Sequence, residues 1–91
     1  MIILIIPTLN EKKNIVNLFN KIKKLNFKLD LLFVDDNSTD GTRDEILRFC
    51  KKDKSVSYIF RSKKMGIGSA HKDAIKFAYK KKYKFILTMD A

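Results

Sequence analysis

Half of the ten carboxylates in this chain, Asp35, Asp36, Asp40, Asp44 and Glu45, fall within eleven positions, and Asp90 stands apart directly after an apolar run. Acidic side chains that follow an apolar run can hydrogen-bond ribose hydroxyls or base N–H groups, or hold a hard cation. The same residue types also have local uses. Asp40 and Asn37 can shape a turn, and Asp44 and Glu45 favour a helix N-terminus. Asp36 and Asp90 are the two read here as ligand-directed. A second candidate is the segment from Met65 through Gly66, Ile67, Gly68 and Ser69 to Ala70, where main-chain N–H groups opening a helix could face a phosphate. It is incomplete as a dinucleotide fingerprint, because position 71 is His71, and the glycine-lysine phosphate loop is absent. His71 has no Cys or second His to share a metal, and it reads as a helix-surface or partly buried residue.

Elements must exist to position these groups. Met1 to Ile6 is a continuous apolar run stopped by Pro7, as expected of a strand buried on both faces. From Glu11 to Leu25, Ile15, Leu18, Phe19, Ile22 and Leu25 recur at helical spacing, with Asn10 placed to cap the start. Leu31 to Val34 is a second strand, ending in the polar stretch 35–41. Thr42 and Glu45 have capping-box spacing, and Ile46, Leu47, Phe49 and Cys50 give the next helix an apolar face. Ser55 to Phe60 forms a third strand, with Val56, Tyr58 and Phe60 on one side. Ala70, Ala74, Phe77 and Ala78 line a third helix, and Phe85 to Met89 is a fourth, buried strand. Alternating strands and helices with right-handed crossovers predict an α/β fold, a Rossmann-like parallel sheet in the order 3-2-1-4 with flanking helices. Its ligand edge lies beyond the carboxyl ends of the strands, where residues 7–11, 35–40, 61–68 and Asp90 converge.

Composition narrows the class. A chain of 91 residues with 45% hydrophobic residues makes one domain, residues 1–91, and excludes a large enzyme core. The apolar runs are far shorter than the roughly 20 residues that span a bilayer. Met1 reads as the true start, since no signal-peptide pattern follows it. The lone Cys50 makes no internal disulfide, which points to a reducing, cytoplasmic setting. Net charge is +10, carried by seventeen lysines and only three arginines, Arg43, Arg48 and Arg61. The lysines are spread along helix faces and ends, with no aromatic-basic module beside them, so a dedicated nucleic-acid site is not expected.

Three segments together resemble the N-terminal half of a family two glycosyltransferase with the GT-A fold. They are residues 6–11 (Ile-Pro-Thr-Leu-Asn-Glu), 34–42 (Val-Asp-Asp-Asn-Ser-Thr-Asp-Gly-Thr) and 88–91 (Thr-Met-Asp-Ala). Residues 64–70 are similar to the dolichyl-phosphate mannosyltransferase branch. The resemblance implies transfer of mannose from GDP-mannose to a polyprenyl phosphate, with inversion at the anomeric carbon. It places Pro7, Leu9 and Glu11 against the nucleotide base, Val34 and Asp36 against base and ribose, and Asp90 and Ala91 among the nucleotide-binding residues. Asp90 matches the first acid of the family's Asp-x-Asp motif, which holds Mg²⁺ or Mn²⁺. No catalytic residue is assigned. The lipid acceptor implies peripheral contact with the cytoplasmic face of a membrane.

Two departures from the family pattern stand out. Leu9 occupies a position where many relatives have Tyr, so apolar contact replaces stacking on the base. The sequence stops at Ala91, one residue before the second acid, and is expected to be a truncated part whose remainder a second polypeptide could supply. The alternative reading is a standalone basic α/β module that binds nucleotides or nucleic acid without catalysis.

Overall fold

The computed structural model of the chain describes residues 1–25, 28–62 and 67–91. Seven elements alternate: β1 (Ile2–Thr8), α1 (Lys12–Lys24), β2 (Asp30–Asp35), α2 (Thr42–Lys52), β3 (Val56–Phe60), α3 (Ile67–Lys80) and β4 (Phe85–Thr88). All four strands are parallel, in the order β3-β2-β1-β4.

Side chains alternate across a strand, and each face of this sheet has its own core. Leu4, Ile6, Leu31, Phe33 and Val56 pack against Ile15, Phe19 and Ile22 of α1 and Ile46 and Phe49 of α2. The rings of Phe19 and Phe49 stack with centroids 4.1 Å apart and hold the two helices together. On the other face Ile3, Ile5, Leu32 and Val34 meet Ala70, Ala74 and Ala78. Three alanines spaced four apart add little bulk from the helix side of this face, where Phe77 of α3 packs beside them.

The structure departs from the sequence reading in three places, each for a physical reason. Pro7 lies inside β1 and does not end it. Met89 N–H donates to Ile5 O, and Asp36 N–H donates to Thr8 O. Odd residues of β1 therefore turn their peptide groups to β4, and even ones turn theirs to β2. Pro7 presents its missing N–H on the β4 side, where paired register ends at Thr88, so no bond to β2 is lost.

Neither expected helix cap forms. Asn10 has a left-handed φ of 53°, and Glu11 is the N-cap residue of α1, without a side-chain cap. Thr42 is the first residue of α2, behind Gly41 at φ 96°. Asp40 does the capping instead: its carboxylate accepts Thr42 N–H at 2.9 Å and Lys12 N–H at 3.2 Å, so one side chain serves the first N–H of both helices.

The third departure is β4, where all four residues are exposed. It is the outermost strand beside β1, while α3 packs on β1 and β2. Phe85 is 62% exposed and Leu87 49%.

Candidate functional site

The parallel sheet brings its strand ends to one edge. Thr8, Asp35 and Phe60 lie side by side across β1, β2 and β3, and Thr88 pairs lower down with Ile5. Beyond this edge the first two loops are stitched together by four hydrogen bonds. Asn10 N–H donates to Ser38 Oγ at 2.8 Å, and Thr39 N–H donates to Asn10 Oδ1 at 2.8 Å. Glu11 N–H donates to Thr42 Oγ1 at 3.0 Å, and Lys12 N–H reaches Asp40. Residues 9–12 and 35–42 thus form one preorganised wall.

The neighbouring carboxylates Asp35 and Asp36 fall on opposite faces of the sheet. Asp35, fully buried, points to the α2 side, where it accepts Thr8 Oγ1 at 2.6 Å, Ser38 N–H at 2.8 Å, Ser38 Oγ at 2.5 Å and Arg43 Nε at 2.7 Å. Burial works against its charge, but the bonds from Ser38, Thr8 and Arg43 outweigh it and hold the carboxyl below its ordinary range. Every strong acceptor direction of Asp35 is used within the protein, so this residue is a clasp between β1, β2 and α2. Asp40, held below its ordinary range chiefly by the Thr42 hydroxyl, is likewise committed to the fold.

Asp36 is 6% exposed and lies on the α3 side. Its Oδ1 is 3.6 Å from Nε of Arg61, a buried residue one position beyond β3. Pro7, Leu9 and Glu11 are half-buried along the stitched wall. Val34 is fully buried among the α3 alanines, so only its main chain is available to a ligand. Asp90 is exposed just past β4, and Ala91 packs against the core on the α1 and α2 side. Residues 63–66, which include Met65 and Gly66 of the glycine-bearing segment, lie outside the described residues; Gly68 opens onto free space. His71 is half-buried on α3, as expected. Among the described residues no group of three His, Cys, Asp or Glu side chains forms a metal cage.

The sequence reading missed Arg43 and Arg61. Arg43 pairs with Asp35, lies 4.7 Å from the Phe60 ring centroid and donates to the Arg61 carbonyl. A signal was present in composition: where seventeen of twenty basic residues are lysine, an arginine next to a strand end marks a cation selected for a planar, multidentate contact. A hollow of about 670 Å³ lined by Met1, Ile2, Lys23, Lys28, Leu29, Asp30 and Ser55 sits at the opposite, amino-terminal end of the strands and includes none of the site residues.

The family model of glycosyl transferase family 2 matches residues 3–91. The chain belongs to that family. Within glycosyl transferase family 2, an uncharacterised protein of Methanocaldococcus jannaschii is 39% identical over 90 residues, covering 97% of this chain and 38% of the relative. The dolichol-phosphate mannosyltransferase of Saccharomyces cerevisiae is 33% identical over 92 residues, covering 96% and 33% respectively. This family 2 chain therefore spans between a third and two fifths of the curated relatives it matches. A mannosyltransferase of Pyrobaculum calidifontis, solved in complex with GDP-Man and Mn²⁺, superposes with a TM-score of 0.77 at 26% identity, over 85% of this chain and 24% of that one. The α/β architecture expected of the N-terminal half of a GT-A glycosyltransferase is the one observed.

Proposed function

We propose that this chain is the donor-nucleotide-binding part of a polyprenyl-phosphate mannosyltransferase that takes GDP-mannose together with a divalent cation. The observation that carries the reading is the convergence of residues 7–11, Asp36 and Asp90 on the carboxyl edge of the sheet, at the reversal of strand order between β1 and β4. The GDP-Man and Mn²⁺ complex of the structural neighbour supports the choice of ligand.

In this reading Pro7, Leu9 and Glu11 supply one wall of the base pocket. Asp36 accepts hydrogen bonds from base or ribose, and Val34 contributes through its main chain. Asp90 and Ala91 face the diphosphate. A single exposed carboxylate suits a cation that draws its remaining ligands from diphosphate oxygens and water, the usual habit of Mg²⁺. Asp90 would hold Mg²⁺ or Mn²⁺, which offsets charge growing on the leaving nucleoside diphosphate.

The acceptor, a polyprenyl phosphate, and the surfaces that grip it belong to the remaining length of the family. That remainder, or a second polypeptide carrying it, would cover β4 and the residue after it, where Phe85, Leu87 and Met89 are otherwise exposed. No helix among the described residues is long and apolar enough to cross a membrane. The +10 charge favours peripheral contact with anionic headgroups at the cytoplasmic face.

Isothermal titration of the chain with GDP in the presence of Mn²⁺ tests the reading. Saturable binding is expected, weakened at least about tenfold but still measurable in Asp36→Ala, and made independent of Mn²⁺ in Asp90→Asn. Unchanged affinity in Asp36→Ala contradicts it.

A further inference from the structure

We propose that Arg61 is a positioning residue for Asp36, aiming its carboxylate at the nucleotide and tying it to the first turn of α3. This rests on the nucleotide-binding reading above. Arg61 is 5% exposed, and a buried charge is costly unless its surroundings offset it. Its main chain is fixed on both sides: the N–H donates to Asp35 O at 2.9 Å, and the carbonyl accepts from Arg43. The guanidinium therefore starts from a rigid base beside the end of β2.

From there the side chain lies between two carboxylates. Nη2 donates to Ser69 Oγ in the first turn of α3 at 2.5 Å. Nε is 3.6 Å from Asp36 Oδ1 and 3.8 Å from Asp73 Oδ2. Those separations are ion-pair distances just outside hydrogen-bond range, and Nε and Nη1 have no hydrogen-bond partner among the described residues. Arginine carries five N–H donors in a fixed fork, so this buried cation has directional capacity left over. A shift of a few tenths of an ångström would complete a charge-assisted bond to Asp36.

The sequence places the two Arg–Asp units in parallel. Asp35 on one face is clasped by Arg43, with its acceptors spent inside the fold. Asp36 on the other face has Arg61 close by without a closed hydrogen bond from Nε. The first arrangement is built for stability; the second sets a rigid, buried cation beside the carboxylate that the nucleotide-binding reading assigns to the ligand. A lysine at position 61 would supply charge without the fork, and could not bond Ser69 and face Asp36 from one rigid plane.

The test compares affinities of GDP, 2′-deoxy-GDP and inosine diphosphate for the chain, for Arg61→Lys, for Arg61→Gln and for each change combined with Asp36→Ala, with thermal melts run on every variant. The two analogues report the ribose and base contacts that Asp36 makes. The expected result is that Arg61→Lys, still folded, loses about tenfold in discrimination against at least one analogue, a size typical of coupling between residues in contact. In the Asp36→Ala background neither change at position 61 should lower discrimination further. If the Arg61 variants lose affinity equally for all three nucleotides, Arg61 merely fastens α3 to the sheet and the inference is overturned while the nucleotide site stands. If the unmodified chain binds none of the three, the nucleotide-binding reading falls and the inference with it.

Discussion

Removing the carboxylate of Asp35 is expected to cost this chain a large share of its stability, and the size follows from its surroundings. A domain of this length is stable by about 5–14 kcal/mol. Asp35 is fully buried and accepts four hydrogen bonds, from Thr8, Ser38 twice and Arg43. Hydrogen bonds to a charged group contribute about 1.5–3 kcal/mol each. Deleting one partner of such a buried pair costs about 3–5 kcal/mol, because Arg43 is left half-buried beside an empty space. Asp35→Ala should therefore lower the urea midpoint by about 3 M or more at a slope near 1 kcal/mol per M. Asp35→Asn, which keeps the volume and one acceptor, should lose less, with a fall of about 1–2 M. The effect also has a pH signature. A carboxyl held below its ordinary value of 3.8 contributes stability above that pH and loses it as pH falls through the depressed folded value. The gap between the parent chain and Asp35→Asn should narrow below about pH 4. An Asp35→Asn midpoint unchanged at an unchanged slope refutes the clasp.

Other outcomes follow from the same geometry. Asp40→Ala should lower the melting temperature by uncapping both α1 and α2, and circular dichroism should show helix lost from both. Gly41→Ala should cost about 1–2 kcal/mol, read as a thermal shift of roughly 4–8 °C per kcal/mol, because position 41 sits at φ 96°. Its new Cβ would meet only the flexible Lys12 side chain, at 3.3 Å, so the cost comes from the backbone. Asp53, bonded to Lys23 and Ser55, has its pKa lowered to about 2. Its contribution is present above about pH 4 and lost between about 4 and 2, and Asp53→Asn should flatten that part of an acid-denaturation curve.

Much of the sheet was legible because its signals are local. Apolar runs, helical spacing and the alternation of the two fix the element order and the parallel sheet, and the expected order 3-2-1-4 is the one observed. The alanines of α3 marked its packing face for the same reason. What was illegible depends on contacts between distant positions. Asn10 and Thr42 have the chemistry and spacing of helix caps, yet their side chains accept N–H groups from residues some 30 positions away, and Asp40 takes their work. The apolar character of β4 suggested burial, but burial needs an element on top, and no periodicity at 85–89 reports whether one exists. Asp35 and Asp36 are the sharpest case. Equivalent as letters, they differ because a strand turns successive side chains to opposite faces, placing one against α2 and the other against α3. Arg61 was hidden among ordinary basic residues until its burial beside Asp36 and Asp73 set it apart.

The most direct test is an NMR titration of the isotope-labelled chain with GDP, first with Mg²⁺ for amide shifts and then with Mn²⁺ for paramagnetic broadening. Shifts are expected at Leu9, Asn10, Glu11 and Asp36, with broadening strongest around Asp90. Perturbations centred instead on Met1, Ile2, Lys23 and Lys28, in the hollow at the opposite end of the strands, would contradict it.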